Sequence, residues 1–243
     1  MPRILLVAQD KGGAGKTLLV RGLAECLPGA RLIEIESDHR LIELDDRLAF
    51  FPVRAARQEI ERSGGQAARA EFDAPLNAIA ASTGPTIVDI GANAAASFLP
   101  MIRTASARYA RRDVSFGLLV AVTSASGALA SAPALIDLAR PFPAALFAVA
   151  NEVENPLDLK TLKTTLGKDV AISRLAKLSL DQRANELLEK GGLRFIGEDL
   201  AAAEPALSER YGFSEAGRML EDLTGFRASV RAAVAPAARW LEG

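Results

Sequence analysis

The chain predicts an α/β fold, a doubly wound and mostly parallel sheet with helices on both faces and a helical C-terminal extension. Three observations lead there. Short, continuous apolar runs recur along the chain, as strands buried on both faces require. Helical spacing fills the intervals between them, and such alternation calls for parallel strands joined by right-handed crossovers. From Leu180 onward only helical patterning remains. No Ser/Gly/Pro-rich linker and no repeat divides the 243 residues. A single domain 1–243 is therefore expected, with a core over about 1–180 and C-terminal helices over about 180–243.

The elements follow in order. RILLVAQ (3–9) is the first strand, and after a glycine-rich turn Val20, Leu23, Ala24 and Leu27 recur at helical spacing, giving a helix from Thr17 to about Leu27. RLIEIE (31–36) is a second strand, closed by the polar turn SDHR. The pattern is weakest over 41–83, where RAARQEIERSGGQAARAEFDAPLNAIAAS suggests two helices broken at Gly64-Gly65. PTIVDIG (85–91) is a short strand, and 93–113 is helical despite Pro100. VSFGLLVAVT (114–123) and AALFAVAN (144–151) are buried strands separated by the helical GALASAPALIDLAR, and DVAIS (169–173) is a last strand. DQRANELLEK and SEAGRMLEDLTGFRASVRAAV are helices of the C-terminal part.

Composition removes several function classes. No apolar run reaches the roughly 18 residues of a membrane span, and MPRILLVAQD suits a strand better than a signal peptide. A cytoplasmic location is the expectation. Cys26 is the single cysteine, which excludes an internal disulfide and a four-thiolate site within one chain. With a formal net charge of −1 and a pI of about 6.0 there is no global positive field, so any nucleic-acid contact needs a local patch.

The chemistry concentrates in VAQDKGGAGKTLLV (7–20). Strand, glycine-rich turn, then Lys-Thr opening a helix is the context of a phosphate loop. Backbone N–H groups of Lys11, Gly12, Gly13, Ala14 and Gly15 turn inward as a nest, and the helix N-terminus adds partial positive charge. In this motif Lys16 reaches the β- and γ-phosphates of a nucleotide and the Thr17 hydroxyl binds Mg²⁺. Asp10 stands where the usual first glycine belongs, so the pattern is the variant K-G-G-x-G-K-T. TIVDIG ends a buried strand with an acid and a glycine. Asp89 would hold Mg²⁺ through a water, and the Gly91 backbone would approach the γ-phosphate.

On the stretch Lys11 to Thr17 the chain resembles the ParA/MinD family of deviant Walker A P-loop ATPases, and the motif order matches over roughly Pro2 to Asn151. The resemblance implies ATP and Mg²⁺ as cofactors and a homodimer closed around two nucleotides. It also implies a role for Lys11, which would cross the interface to the phosphates of the partner copy. A second ammonium aimed at a triphosphate offsets developing charge as an arginine finger does, and delivery in trans makes the dimer depend on ATP. Relatives usually end the second strand D-x-D-P-Q; here EIESDHR places Glu34 and Glu36 at the aspartates and Asp38 at the glutamine. Glu36 is the candidate for orienting the attacking water, with Asp38 as the alternative, and the longer side chain suggests slow or partner-stimulated hydrolysis. Asn151 stands where relatives carry an asparagine that contacts adenine, although a strand-end asparagine also suits a turn before Pro156.

The same resemblance frames the output. Relatives cycle on non-specific DNA, on membrane, or through paired cysteines, and the last needs thiols this chain lacks. For DNA, Arg108, Arg111 and Arg112 share a helix face with Arg103 further back, and a dimer would double such a patch. Solvated helix arginines are the alternative. For membrane, GFRASVRAAVAPAARWLEG mixes apolar and basic residues, but Pro236 interrupts it, so a helix packed on its own domain is the expectation. The implied activity is a positioning switch in plasmid partition, stabilisation or conjugative transfer, with an activator or cargo adaptor as a further partner. Alternatives are a membrane-cycling MinD-like ATPase, a ligase of the dethiobiotin-synthetase type, and a non-hydrolysing nucleotide-binding scaffold.

Overall fold

In β1 (Arg3–Ala8) the side chains of Ile4, Leu6 and Ala8 point to one side and those of Leu5 and Val7 to the other, and all five are fully buried. The strand therefore runs between two apolar layers, as its uninterrupted hydrophobicity demands. The computed structural model describes residues 1–53, 66–153, 155–189 and 200–243. Of the two helices expected around Gly64-Gly65, the first lies outside the described residues. After β1 come α1 (Lys16–Cys26), β2 (Arg31–Glu36), a short 3-10 helix (Ile42–Arg47), β3 (Leu48–Pro52), α2 (Gln66–Ala80), β4 (Thr86–Ile90), α3 (Ala95–Ala110) and β5 (Ser115–Val122). Then follow α4 (Ser126–Ala139), β6 (Ala145–Asn151), α5 (Leu159–Leu166), β7 (Val170–Leu175), α6 (Gln182–Glu189), α7 (Leu200–Tyr211) and α8 (Phe213–Glu242).

Among the described residues the strands form one seven-stranded sheet in the order β3-β2-β4-β1-β5-β6-β7, every neighbouring pair parallel. One face is covered by α2 to α5, through Phe72, Phe98, Leu135 and Leu166 among others. The other is covered by α1 and the second half of α8, through Leu19, Leu23, Val230, Val234 and Leu241. The chain begins in the middle of the sheet and builds outward in both directions, which leaves a crevice at the C-terminal end of β1, where open α/β sheets bind their ligands.

Two expectations are corrected. β3 was not anticipated: its LAFFP has no clean alternation and follows an acidic segment, and it is a strand because β2 offers it a ladder from Leu32 to Glu36. Pro236 does not interrupt α8, which continues to Glu242. A proline within a helix removes a backbone donor and costs about 3 kcal/mol. Burial of Ala237, Ala238 and Leu241 offsets this, and Ser173 donates its hydroxyl to the Ala233 carbonyl at 2.6 Å, next to the carbonyl of Ala232 that lost its N–H partner. Trp240 lies so close to β5 that a Cβ on Gly117 would fall 2.7 Å from its ring. The Arg3 guanidinium stands 5.5 Å from the centre of that ring and donates to the Trp240 carbonyl. Arg227 pairs with Glu25 of α1. The C-terminal part is thus divided: α6, α7 and the start of α8 share a small cluster around Ala184, Met219 and Leu223, while the end of α8 belongs to the main core. Among the described residues no helix is long and apolar enough to cross a membrane.

Candidate functional site

The site assembles where β1, β2 and β4 end. Side chains alternate along a strand, and Ile33, Ile35, Val88 and Ile90 take the α2–α5 face. Glu34, Glu36 and Asp89 therefore point to the face from which α1 rises, and the register sets Glu34 directly beside Asp89. Lys16, the first residue of α1, is buried among them. Burial lowers the pKa of its ammonium, against the opposing pull of Asp89 and Glu36. Burial likewise pushes Asp89 up to about 7, with Lys16 opposing and Glu34 adding to the rise. The arrangement is a buried cation facing acids at the strand ends, chemistry that suits a ligand carrying charges of both signs.

The loop from Lys11 to Gly15 forms that ligand's cradle. Gly13 and Gly15 have φ of 76° and 87°, the left-handed conformations a side chain disfavours, and they turn successive N–H groups the same way. Nothing lies within 4 Å of where a Cβ on Gly12 or Gly13 would be, and both glycines are exposed. The Thr17 hydroxyl donates to Asp89 Oδ2 at 3.2 Å, and among the described residues Asp89 Oδ1 is buried without a hydrogen-bond partner. A buried carboxylate oxygen with no donor, beside a threonine hydroxyl and a phosphate cradle, fits a divalent cation carried in with a nucleotide. Thr17, Asp89 and Lys16 are the residues that would hold the metal and its phosphates.

The water-orienting candidates separate clearly. The Glu36 carboxylate lies over Gly91, where a Cβ would meet its oxygens at 2.7 and 2.9 Å, and it also accepts from the Ser37 N–H at 3.1 Å. Gly91 in turn donates its N–H to the Ile35 carbonyl at 2.8 Å, which fixes the spacing of the two strand ends. Glu36 is thus held at the crevice beside Lys16. Asp38 is 77% exposed and reaches only Ser37 and Arg40, outside the crevice. Its neighbour His39 stacks on Phe50 at 4.7 Å, with Nε2 3.1 Å from Asp45 and 3.5 Å from the buried Glu34, and so borders the acids of the site on the β3 side.

Asn151 meets the loop through its amide. Its Nδ2 donates to the Ala14 carbonyl at 3.1 Å, and that nitrogen lies 2.4 Å from the place of a Cβ on Gly15. The residue is buried and braces the glycine loop. Lys11 is exposed at the rim. Gln9, which the sequence did not single out, is fully buried and ties the start of the loop to β5 and α4. A polar residue between an apolar strand and a glycine turn was the only signal of it.

The arginines stand elsewhere. Arg103, Arg108, Arg111 and Arg112 are all exposed, and Arg108 and Arg112 flank a shallow recess shared with Asp73 and Asn77. Tyr109 faces inward, donating its hydroxyl to the Leu76 carbonyl at 2.9 Å. Because α3 ends just before β5 begins, these arginines lie at the N-terminal edge of the sheet, opposite the phosphate loop.

No family model matches the chain, and no curated protein matches it. Among solved structures it is similar to apo McdA from Cyanthece, at 15% identity over 93% of this chain and 99% of that one, with a TM-score of 0.47. It is also similar to the MinD cell division protein of Aquifex aeolicus, at 13% identity over 93% and 97% with a TM-score of 0.42. The MinC:MinD cell division protein complex of the same organism gives 14% over 92% and 96%, with a TM-score of 0.43.

Proposed function

We propose that this chain is an ATPase of the ParA/MinD kind, pairing with a second copy around ATP and Mg²⁺ and acting as a positioning switch. The observation that carries the reading is the contrast in burial between two lysines of one loop. Lys16 is buried against Asp89 and Glu36, and Lys11 stands exposed at the rim. A buried ammonium suits the molecule's own nucleotide, and an exposed one on the same loop suits a neighbour's. Large apolar side chains exposed beyond the strand ends, Ile42, Leu129, Val153 and Leu178, sit in segments that follow β2, β5, β6 and β7 on the crevice side. They suit a face that a second copy covers.

In the reaction the loop N–H groups and Lys16 bind and orient the phosphates. Glu36, held over Gly91, orients a water toward the γ-phosphate. Lys11 of the partner adds positive charge as the bond to the leaving group lengthens. Mg²⁺, when bound, neutralises charge on the phosphate oxygens. The inferred task is positional, in plasmid partition, stabilisation or conjugative transfer, with non-specific DNA held by Arg103 and Arg108 of α3 and by Arg111 and Arg112 just after it, and a separate activator that hastens hydrolysis. Lys16→Ala should lose nucleotide binding and ATP-dependent pairing together. Lys11→Ala should bind ATP within about fivefold of the parent and fail to pair, since only a trans contact is gone. Size exclusion with ATP·Mg²⁺, beside phosphate release, checks both. Pairing by Lys11→Ala equal to the parent would end the trans reading, and binding without turnover would leave a scaffold.

A further inference from the structure

We propose that Gln9 is the positioning residue for Lys11, presenting that lysine from the first turns of α4 rather than from the phosphate loop alone. The proposal rests on the trans role of Lys11 given above. The Gln9 amide has no contact with solvent and every one of its polar atoms is engaged. Its oxygen accepts from the backbone N–H of Asp10 at 2.8 Å and of Lys11 at 3.3 Å, and from the Ser131 hydroxyl. Its nitrogen donates to the Ala121 carbonyl at 2.6 Å and to the Ala128 carbonyl at 3.3 Å. One side chain thus joins the N–H of Lys11 to the end of β5 and to two residues of α4.

The Lys11 side chain follows the same path. It runs past Gly127, its Cδ 3.5 Å from where a Cβ there would lie. Backbone and side chain of the lysine are both referred to the 126–131 segment. On the other side of Lys11, a Cβ on Gly12 or Gly13 would have no neighbour within 4 Å. A buried, fully satisfied amide fixes its neighbours more sharply than isolated hydrogen bonds do. Of the two loop residues whose backbone N–H groups Gln9 holds, Lys11 is the exposed one, so the effect of Gln9 on pairing is assigned to Lys11.

The test is a double-mutant cycle between Gln9→Ala and Lys11→Ala, with Ser131→Ala as a milder probe that removes one hydroxyl and leaves the fold's core intact. The readouts are affinity for a fluorescent ATP analogue and the ATP-dependent pairing constant. Gln9→Ala and Ser131→Ala should bind nucleotide within about threefold of the parent while pairing weakens, about tenfold for Gln9→Ala and less for Ser131→Ala. In the Lys11→Ala background neither substitution should weaken pairing further, because its only route of action is already gone. If the effects add, or if nucleotide affinity falls as far as pairing does, Gln9 is a packing residue and the proposal is overturned. If Gln9→Ala does not fold, the Ser131→Ala pair of measurements decides in the same way. Normal pairing by Ser131→Ala beside failed pairing by Lys11→Ala would sink this inference alone. Normal pairing by Lys11→Ala would remove the reading beneath it as well.

Discussion

A methyl group added at position 91 would meet the carboxylate of Glu36 at less than 3 Å from its oxygens. That contact makes Gly91 a sensitive probe of hydrolysis, because Glu36 has to leave if a side chain arrives. The phosphate cradle, formed by another segment, would stay as it is. Gly91→Ala should lower phosphate release by about tenfold or more, as misplacement of about an ångström does, with nucleotide affinity held within about threefold. A fluorescence titration beside a turnover assay checks the split, and equal loss of both would show that Glu36 serves binding. At this scale the residues that a motif names, Lys16, Thr17 and Asp89, are ones the fold does bring together. The sequence hid those whose partners are distant in the chain. Asn151 lies 137 residues from the Ala14 carbonyl it supports, and nothing local to it forecasts that bond.

Among the elements, α1 is held at its far end by a residue no motif marks. The Arg47 guanidinium donates to the carbonyls of Ala24 and Leu27, both at 2.9 Å, and to those of Pro28 at 2.6 Å and Ala30 at 3.2 Å. The last carbonyls of a helix have no partner within it, and a cation there satisfies them and complements the helix dipole. Arg47→Ala should cost about 2 kcal/mol, by the worth of charged hydrogen bonds that are partly exposed. A melting temperature lower by about 4–8 °C would follow for a chain of this size. A melt within a degree of the parent would mean that water replaces the arginine freely. The elements legible in advance were those with their own periodicity, such as β1, α1, β5 and β6. β3 was not, since its pairing with β2 creates it. The passage of α8 through Pro236 was not, since burial beyond the proline and a hydroxyl from β7 outweigh a local breaker.

For the molecule as a whole, the crevice of the glycine loop and the arginines occupy opposite edges of the sheet. Two copies meeting crevice to crevice would carry their arginine groups on outward-facing poles and not side by side. The sequence suggested a patch that a dimer doubles, with tighter binding in ATP; if the proposed pairing and DNA contact hold, poles this far apart would instead bridge two duplexes. ATP should therefore leave affinity for a short duplex changed by less than about threefold, while long DNA becomes crosslinked and sediments, with the salt dependence phosphate contacts bring. Arg108→Ala with Arg112→Ala should abolish the sedimentation. Much tighter binding to the short duplex on adding ATP would place the DNA contact elsewhere. The roofing of the sheet has a consequence for synthesis as well. One of its faces is closed by α1 and by α8, elements far apart in the chain, so during synthesis that apolar floor stays uncovered until α8 has left the ribosome. That interval is when a chaperone would find it.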